Sequence, residues 1–329
     1  MAHTSRLTSW LLANAERLKL SAHRYTWPDE WLPGYYDFHV SIEVGGKQFA
    51  GSGLSLSEDE AFLKAGAEAL ERCIHASTGR ANTNGLAVHE LPAAAQKNAL
   101  EELIERDAFF CHFLTKIPFA AVSNEALQTI TFDLGKLSKR LETFGVELHL
   151  GRMTAPEGLV GIVCSIDGAH ARHPFGIRIG LGCKEQAGGS IEHAVLEAMK
   201  RSVRVIEGGE VKRLTKTEFL ALPTITVADH DALALDIEAS GPARTLFAAM
   251  KGEQQGHACS TDSIGFHHVR IPQDVQDAPL VACYADSLEL QGAFFGRTTP
   301  NVVNISRLQL FAGRSLSWDD IDTAPHVFG

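Results

Sequence analysis

The chain has 329 residues, of which 45% are apolar and 21% charged, with a formal net charge of −10 and a pI near 5.8. That is the composition of an ordinary globular protein, and its acidic balance excludes a non-specific grip on nucleic acid or anionic membrane, which takes a basic face. No apolar run is long enough to span a bilayer, the N-terminus lacks a signal peptide's apolar core, and the six cysteines include no Cys-x-x-Cys pair. They are the reduced thiols expected of a cytoplasmic protein, not a disulfide framework or a zinc site.

Residues 7–20 have helical periodicity, and 35–44 alternate before a Gly45–Gly46 turn into "KQFAGSGLSL", which predicts a β-hairpin. Ser57 with Glu60 predicts a capping box opening a long helix through "EDEAFLKAGAEALERCIHAS". After a turn at 83–86, Pro92 opens a second long helix through "LEELIERDAFFCHFL", followed by a helix near 133–144. Strands are predicted at "VELHLGRM", "GLVGIVCSID" and "PFGIRIGLGC", and the glycines of the last are read as marking a tight strand end. A third long helix covers about 190–208; the polar region 209–275 holds helices, "PLVACYAD" is a buried strand, and "VVNISRLQLF" is partly β-like. Helices interleaved with alternating strands predict an α/β (α+β) fold. Length alone suggests about two domain-sized units. No linker cuts the chain, so 1–329 is read as one domain: 1–44 an N-terminal helix and strand, 45–208 the three long helices with their strands, 209–329 a variable segment and tail.

The chemistry concentrates in a repeated cassette, Glu-x-x-Glu-Arg, at Glu68, Glu71, Arg72 and at Glu102, Glu105, Arg106. The copies start 34 residues apart, but the missing third copy and the flanking strands exclude a tetratricopeptide array. On a helix, i and i+3 share a face, and both cassettes sit in apolar frames. Carboxylates near an interior are costly unless paired or metal-bound, and a cluster of them does not stay fully ionised without cations. Mg²⁺, a hard ion commonly shared with substrate phosphates, answers that need. The two arginines would then orient carboxylates or fork onto phosphate. A solvated face with local salt bridges accounts for such a cassette equally well. Glu192, Glu197, Lys200 and Arg201 stand in the third helix, where an ordinary amphipathic helix is the plainer reading. Among fifteen histidines only His326 invites a metal test, and Ser55 and Cys183 lack the neighbours that activate a nucleophile.

In order, "GSGLSLSEDEAFLKAGAEALERC", "TNGL", "LEELIERDAF", "GLGC…SIEHAVLEAMKRS" and the ending "SWDDIDTAPHVFG" resemble the YcaO family and its heterocyclase branch, from about residue 45 onward. The resemblance implies a non-P-loop ATP site, consistent with the absence of G-x-x-x-x-G-K-[ST]. By that resemblance Glu68, Glu71, Glu102 and Glu105 are Mg²⁺ ligands, Arg72 and Arg106 support the site, and Glu197 is a nucleotide-site carboxylate. ATP would phosphorylate a backbone amide oxygen, and a Cys, Ser or Thr side chain would then attack the carbonyl carbon and expel phosphate. The product is a thiazoline or oxazoline in a ribosomally made precursor peptide of the bacteriocin kind. Thioamide formation and a non-catalytic scaffold role are the alternatives. The implied partners are the precursor peptide, a leader-peptide-binding (E1-like) protein, for which this chain looks too short to have its own domain, and a flavin dehydrogenase, in a homo- or hetero-oligomer. Lys64, Ala94 and Lys200 depart from the family's Ser, Glu and Gln, and only Pro325 remains of a tail usually rich in prolines. The Gly329 carboxylate is expected as a general base to the attacking side chain.

Overall fold

The computed structural model describes residues 5–250, 252 and 256–328. The chain divides into two compact units, Met1–Leu103 with Ile264–Ser287, and Ile104–Ser263 with Leu288–Gly329.

The first unit opens with α1 (Arg6–Ala13), whose first turn is capped by the Ser5 side chain accepting the Thr8 amide. It is shorter than the periodicity predicts. The Asn14 side chain bonds back to the Trp10 carbonyl, and Lys19 takes a positive φ of 43°, which turns the chain into β1 (Ser21–Tyr25). After the short α2 (Trp27–Trp31), β2 (Tyr36–Val44) and β3 (Lys47–Ser55) form the expected hairpin, with Val44 opposite Lys47. Gly45 and Gly46 both have positive φ, as a two-residue hairpin turn requires. The sheet order is β1-β2-β3. Ser57 caps α3 (Glu58–Ala76) by accepting the Glu60 amide, but the reciprocal half of the predicted capping box is absent. The Glu60 carboxylate goes instead to the Ser55 hydroxyl and to Lys64. β4 (Leu86–His89) and α4 (Pro92–Thr115) follow, and the boundary between the units falls inside α4.

The second unit continues with β5 (Ala120–Ala121), α5 (Asn124–Leu127), α6 (Leu134–Glu142), β6 (Glu147–Met153), β7 (Val160–Asp167) and β8 (Ile177–Lys184). Its strands form an antiparallel sheet in the order β5-β6-β7-β8, and α7 (Ala187–Ile206) packs on β7 and β8. Three short helices, α8 (Lys216–Ala221), α9 (Val227–Leu233) and α10 (Gly241–Ala248), occupy the polar region. The chain then returns to the first unit with β9 (Gly265–Val269) and β10 (Val281–Asp286), which complete a sheet ordered β4-β10-β9. The last helix, α11 (Ile305–Ala312), replaces the β-like reading of 302–311. Asn304 caps its first turn and Gly313, at φ 64°, ends it; the strand reading rested on β-branched residues that lie mostly before the cap. Among the described residues no helix is long and apolar enough to cross a membrane. All six cysteines are free and buried.

Each unit has its own core. In the first, Leu7, Leu11, Val40, Ile42, Leu70 and Ile74 close against Tyr284 and Leu86. In the second, Phe109, Phe110 and Phe113 of α4 meet Ile177, Ile179, Phe311 and Phe328. A fully buried side chain of this size contributes about 1.5–3 kcal/mol. The contact of α3 with β3 is closer than side chains allow. A Cβ on Gly51 would stand 2.3 Å from the Ala65 carbonyl oxygen, and one on Gly53 would stand 2.1 Å from that of Ala61. Gly51→Ala is therefore expected to cost about 1–3 kcal/mol by forcing backbone apart; a denaturant midpoint equal to the parent's would show that the helix and strand are not so tightly seated.

Candidate functional site

In the first unit, close seating of α3 on the glycines of β3 puts Glu68 against the strand. One carboxylate oxygen accepts the Ser52 amide (2.7 Å) and the other accepts from Arg72 (2.6 Å), which also donates to the Ala50 carbonyl (2.7 Å). Glu71, one turn along the same face, is half-buried and accepts the Val88 amide of β4. Burial, then the Glu102 carboxylate, then Glu68 push its own carboxyl well above the usual carboxylate range. Glu71 thus stands in the field of both Glu102 and Glu68. Burial also raises the Tyr284 phenol on β10, and Glu71 and Glu102 add to the rise. No sequence signal pointed to Tyr284, because β10 joins this unit from far along the chain. Lys64 is drawn to Glu60 (2.9 Å), and Glu101, absent from the sequence reading, is buried with its carboxylate 3.8 Å from Lys97.

The second unit holds Glu105, Arg106 and Glu197. Glu105 is buried and pairs with Arg106 at 3.2 Å. Glu197 accepts the Leu181 amide of β8 (2.8 Å) and Arg201 (2.8 Å). Burial alone would raise its carboxyl, but Arg201, Arg106 and His193, with the Leu181 amide, hold it low. The aromatic ring of Phe328 lies under both guanidiniums, 4.4 Å from Arg106 and 5.5 Å from Arg201, and is 2% exposed. The expected catalytic residue Gly329 lies outside the described residues, but the segment before it is packed in place. His326 stacks face to face on His230 at 3.9 Å; its Nε2 donates to the Phe294 carbonyl, and the His326 carbonyl accepts from His230 Nδ1. That enclosure, together with burial that drives the His326 imidazole well below its ordinary range, makes it a neutral packing residue rather than the metal candidate considered from sequence.

The two Glu–amide–Arg clasps are built on one plan. Gly51, Gly53, Ala65, Glu68, Ala69 and Arg72 correspond to Gly180, Gly182, Ala194, Glu197, Ala198 and Arg201, every pair 129 positions apart. A Cβ on Gly180 would stand 2.1 Å from the Ala194 carbonyl oxygen, the counterpart of Gly51 against Ala65. The glycines of "GLGC" are thus a mid-strand floor for α7, not a strand end. A Gly-x-Gly followed fifteen residues later by Glu-x-x-x-Arg is the signal that reveals the duplication. At the corresponding positions α3 has Lys64 and Glu71 where α7 has His193 and Lys200.

The donors of the first unit fit a hard divalent cation in chemistry: Glu71 and Glu102 crowd charge that a cation would neutralise. Among the described residues no three His, Cys, Asp or Glu side chains already stand at chelating distance. The raised carboxyl has a signed consequence. A group that holds its proton more tightly folded than unfolded weakens the fold as pH rises from the ordinary carboxylate range through its folded value. Metal-free protein should therefore lose stability over that window, and Glu71→Gln should flatten the slope and reduce the stabilisation given by added Mg²⁺. Identical pH and Mg²⁺ dependence of Tm in parent and variant would contradict the crowding.

A family model described as YcaO cyclodehydratase, ATP- and Mg²⁺-binding, matches residues 74–262, more than half the chain. No curated protein is similar in sequence. Among solved structures, the YcaO protein of Methanopyrus kandleri bound with AMPPCP and Mg²⁺ is similar over 86% of this chain and 90% of its own, with a TM-score of 0.59 at 12% identity. A heterocyclase in complex with substrate and cofactor is similar over 98% of this chain, with a TM-score of 0.68 at 10% identity; the chain spans 57% of that protein's length. At such identity these likenesses speak for the fold, and they agree with the α/β architecture described above. With the family model spanning the second Glu-x-x-Glu-Arg cassette, the sheet β6-β7-β8 and the Glu197 helix, this chain belongs to the YcaO family.

Proposed function

We propose that this protein uses Mg-ATP to activate backbone amides of a ribosomally made precursor peptide and closes Cys, Ser or Thr onto them as azolines. The observation that carries the reading is the crowding of Glu71 by Glu102 and Glu68, in a chain whose family is described as ATP- and Mg²⁺-binding. The similar proteins, bound with AMPPCP and Mg²⁺ and with substrate and cofactor, support it. Glu68, Glu71, Glu102 and Glu105 are the residues that would hold Mg²⁺, with Arg72, Arg106 and Glu197 supporting the nucleotide. Bound Mg-ATP supplies the phosphoryl group that turns the amide oxygen into a leaving group, so that ATP leaves as ADP and phosphate and the peptide loses one water.

The chain's own side chains divide the remaining work. Glu68 and Glu197 hold Arg72 and Arg201 in fixed directions. Phe328 lies beneath Arg106 and Arg201, so the segment 325–328 bears on the same arginines that flank Glu105 and Glu197. Gly329 next to it is the proposed general base. A leader-binding partner would deliver the peptide by raising its effective concentration.

Glu71→Gln or Glu105→Gln should reduce peptide-dependent ATP turnover at least about a hundredfold, as expected when a preorganised charge at a phosphoryl-transfer site is lost, with circular dichroism unchanged. A double variant that binds Mg-ATP like the parent in calorimetry would refute the assignment. Removing residues 327–329, or appending a few residues after them, should sharply cut azoline formation, read as 18 Da losses in the peptide's mass. Unchanged conversion would remove the tail from the mechanism, and a gain of 16 Da would identify thioamide formation instead.

A further inference from the structure

One sheet of the first unit ends in a strand with no partner on its outer side. In the order β4-β10-β9, β9 pairs with β10 without a break, from Val269 opposite Ala282 to Gly265 opposite Asp286, and among the described residues no other strand joins it. Its outward amides and carbonyls therefore have no ladder partner. Edge strands are usually blunted with lysine, proline or a bulge. The strand Gly-Phe-His-His-Val has neither lysine nor proline, and Phe266 is 42% exposed. A cavity of about 440 Å³ follows this edge, and residues 267–273 border it, seven in succession. Side chains of a strand alternate between faces, so a cavity that touches every residue in turn runs along the backbone edge and not over one face. Arg80 and Tyr284 also border it, the guanidinium 4.0 Å from the ring centroid. No carboxylate among the described residues borders it, in a chain with 40 acidic and 30 basic residues. The nearby acids are accounted for. Asp286 binds Arg80 (3.0 Å) and His267 (3.1 Å), Asp274 lies by the Gly45 turn, and Glu71 and Glu102 act on the Tyr284 phenol. Arg270, one residue past β9, is exposed and makes no ion pair among the described residues.

We propose that β9 is a docking edge for an extended acidic peptide, which adds to the sheet as a fourth strand and sets a carboxylate side chain against Arg270. In strand addition, main-chain bonds give the affinity and the pockets for alternate side chains give the selectivity. The open edge supplies the first and the cavity beside it the second. A guanidinium free to form a fork pairs best with a carboxylate, which sets the charge of the peptide. The inference deepens the proposed function by giving the peptide a seat in the first unit. It rests on that reading only in taking the peptide to be part of the precursor; the docking itself needs neither nucleotide nor metal.

The test is fluorescence anisotropy with the full chain in EDTA, without nucleotide. The probes are short labelled peptides alternating threonine and valine, carrying either glutamates or lysines, and the glutamate peptide methylated on its odd or on its even amides. Only one side of an added strand faces β9. One methylated peptide should therefore bind like the unmodified one, and the other about tenfold or more weakly, having lost its bonds to the edge. The parent should favour the glutamate peptide several-fold, and Arg270→Glu should reverse that preference. Arg270 is exposed, so the variant should fold, with circular dichroism as the control. Failure of the parent to bind, or equal binding of the two methylated peptides, overturns strand addition. A charge preference unchanged in Arg270→Glu overturns the acidic partner. A dimer in light scattering that Phe266→Lys turns into a monomer would give the edge to a second copy of the chain and overturn the peptide site. Peptide-dependent ATP turnover separates the two claims. Binding in this pattern without turnover on any precursor leaves the docking edge standing and overturns the amide-activating reading, and turnover without such binding does the reverse.

Discussion

The hydrogen bond from the Ser52 amide to the Glu68 carboxylate, and its counterpart from Leu181 to Glu197, fix the chemistry of each unit in place. It forms only because helix and strand touch backbone to backbone, and they touch only because the strand has glycine wherever a Cβ would strike a helix carbonyl. A charge-assisted bond of this kind is shorter and stronger than a neutral one, and it orients the next residue in the chain of contacts. With Glu68 pinned, Arg72 is held between that carboxylate and the Ala50 carbonyl. The glutamate one turn away then has a defined direction, toward β4 and the charge of Glu102.

The sequence pattern was a sound guide where structure is local. Helical periodicity located α3, α4 and α7, the paired glycines located the β2–β3 turn, and the buried strand at 281–286 is β10. It failed where one side chain decides: Asn304 starts a helix in residues that look β-like, and Asn14 stops one whose apolar period runs on. The Glu-x-x-Glu-Arg spacing announced the carboxylates but not their differing states. Glu68 is clasped, Glu71 is repelled, and Glu105 is enclosed with Arg106, and each outcome depends on partners that spacing does not specify. The duplication stayed hidden because it rests on a few small and charged residues while the apolar positions between them drifted, as at Phe62 and Ile191.

The segment 325–328 shows how strongly context can claim a stretch of chain. Val327 and Phe328 are each 2% exposed, and His326 contributes a flat neutral ring to a stack with His230. The Gly296 amide donates to His230 Nε2, so that ring has donor and acceptor roles fixed on both sides. Such a network rewards one protonation state and penalises any other.

Neither unit is a continuous stretch of chain, and that interleaving sets the order in which the protein can assemble. β4 lies near residue 88, but its sheet partner β10 pairs Ala282 with Val88, after most of the second unit has been made. During synthesis the edge of β4 waits unpaired while the ribosome adds nearly two hundred residues. Closing so long a loop is slow relative to local helix formation. Unpaired strand edges of this kind invite association with other chains. The interleaved topology therefore means that no single cut in the gene separates the two units from each other with both intact.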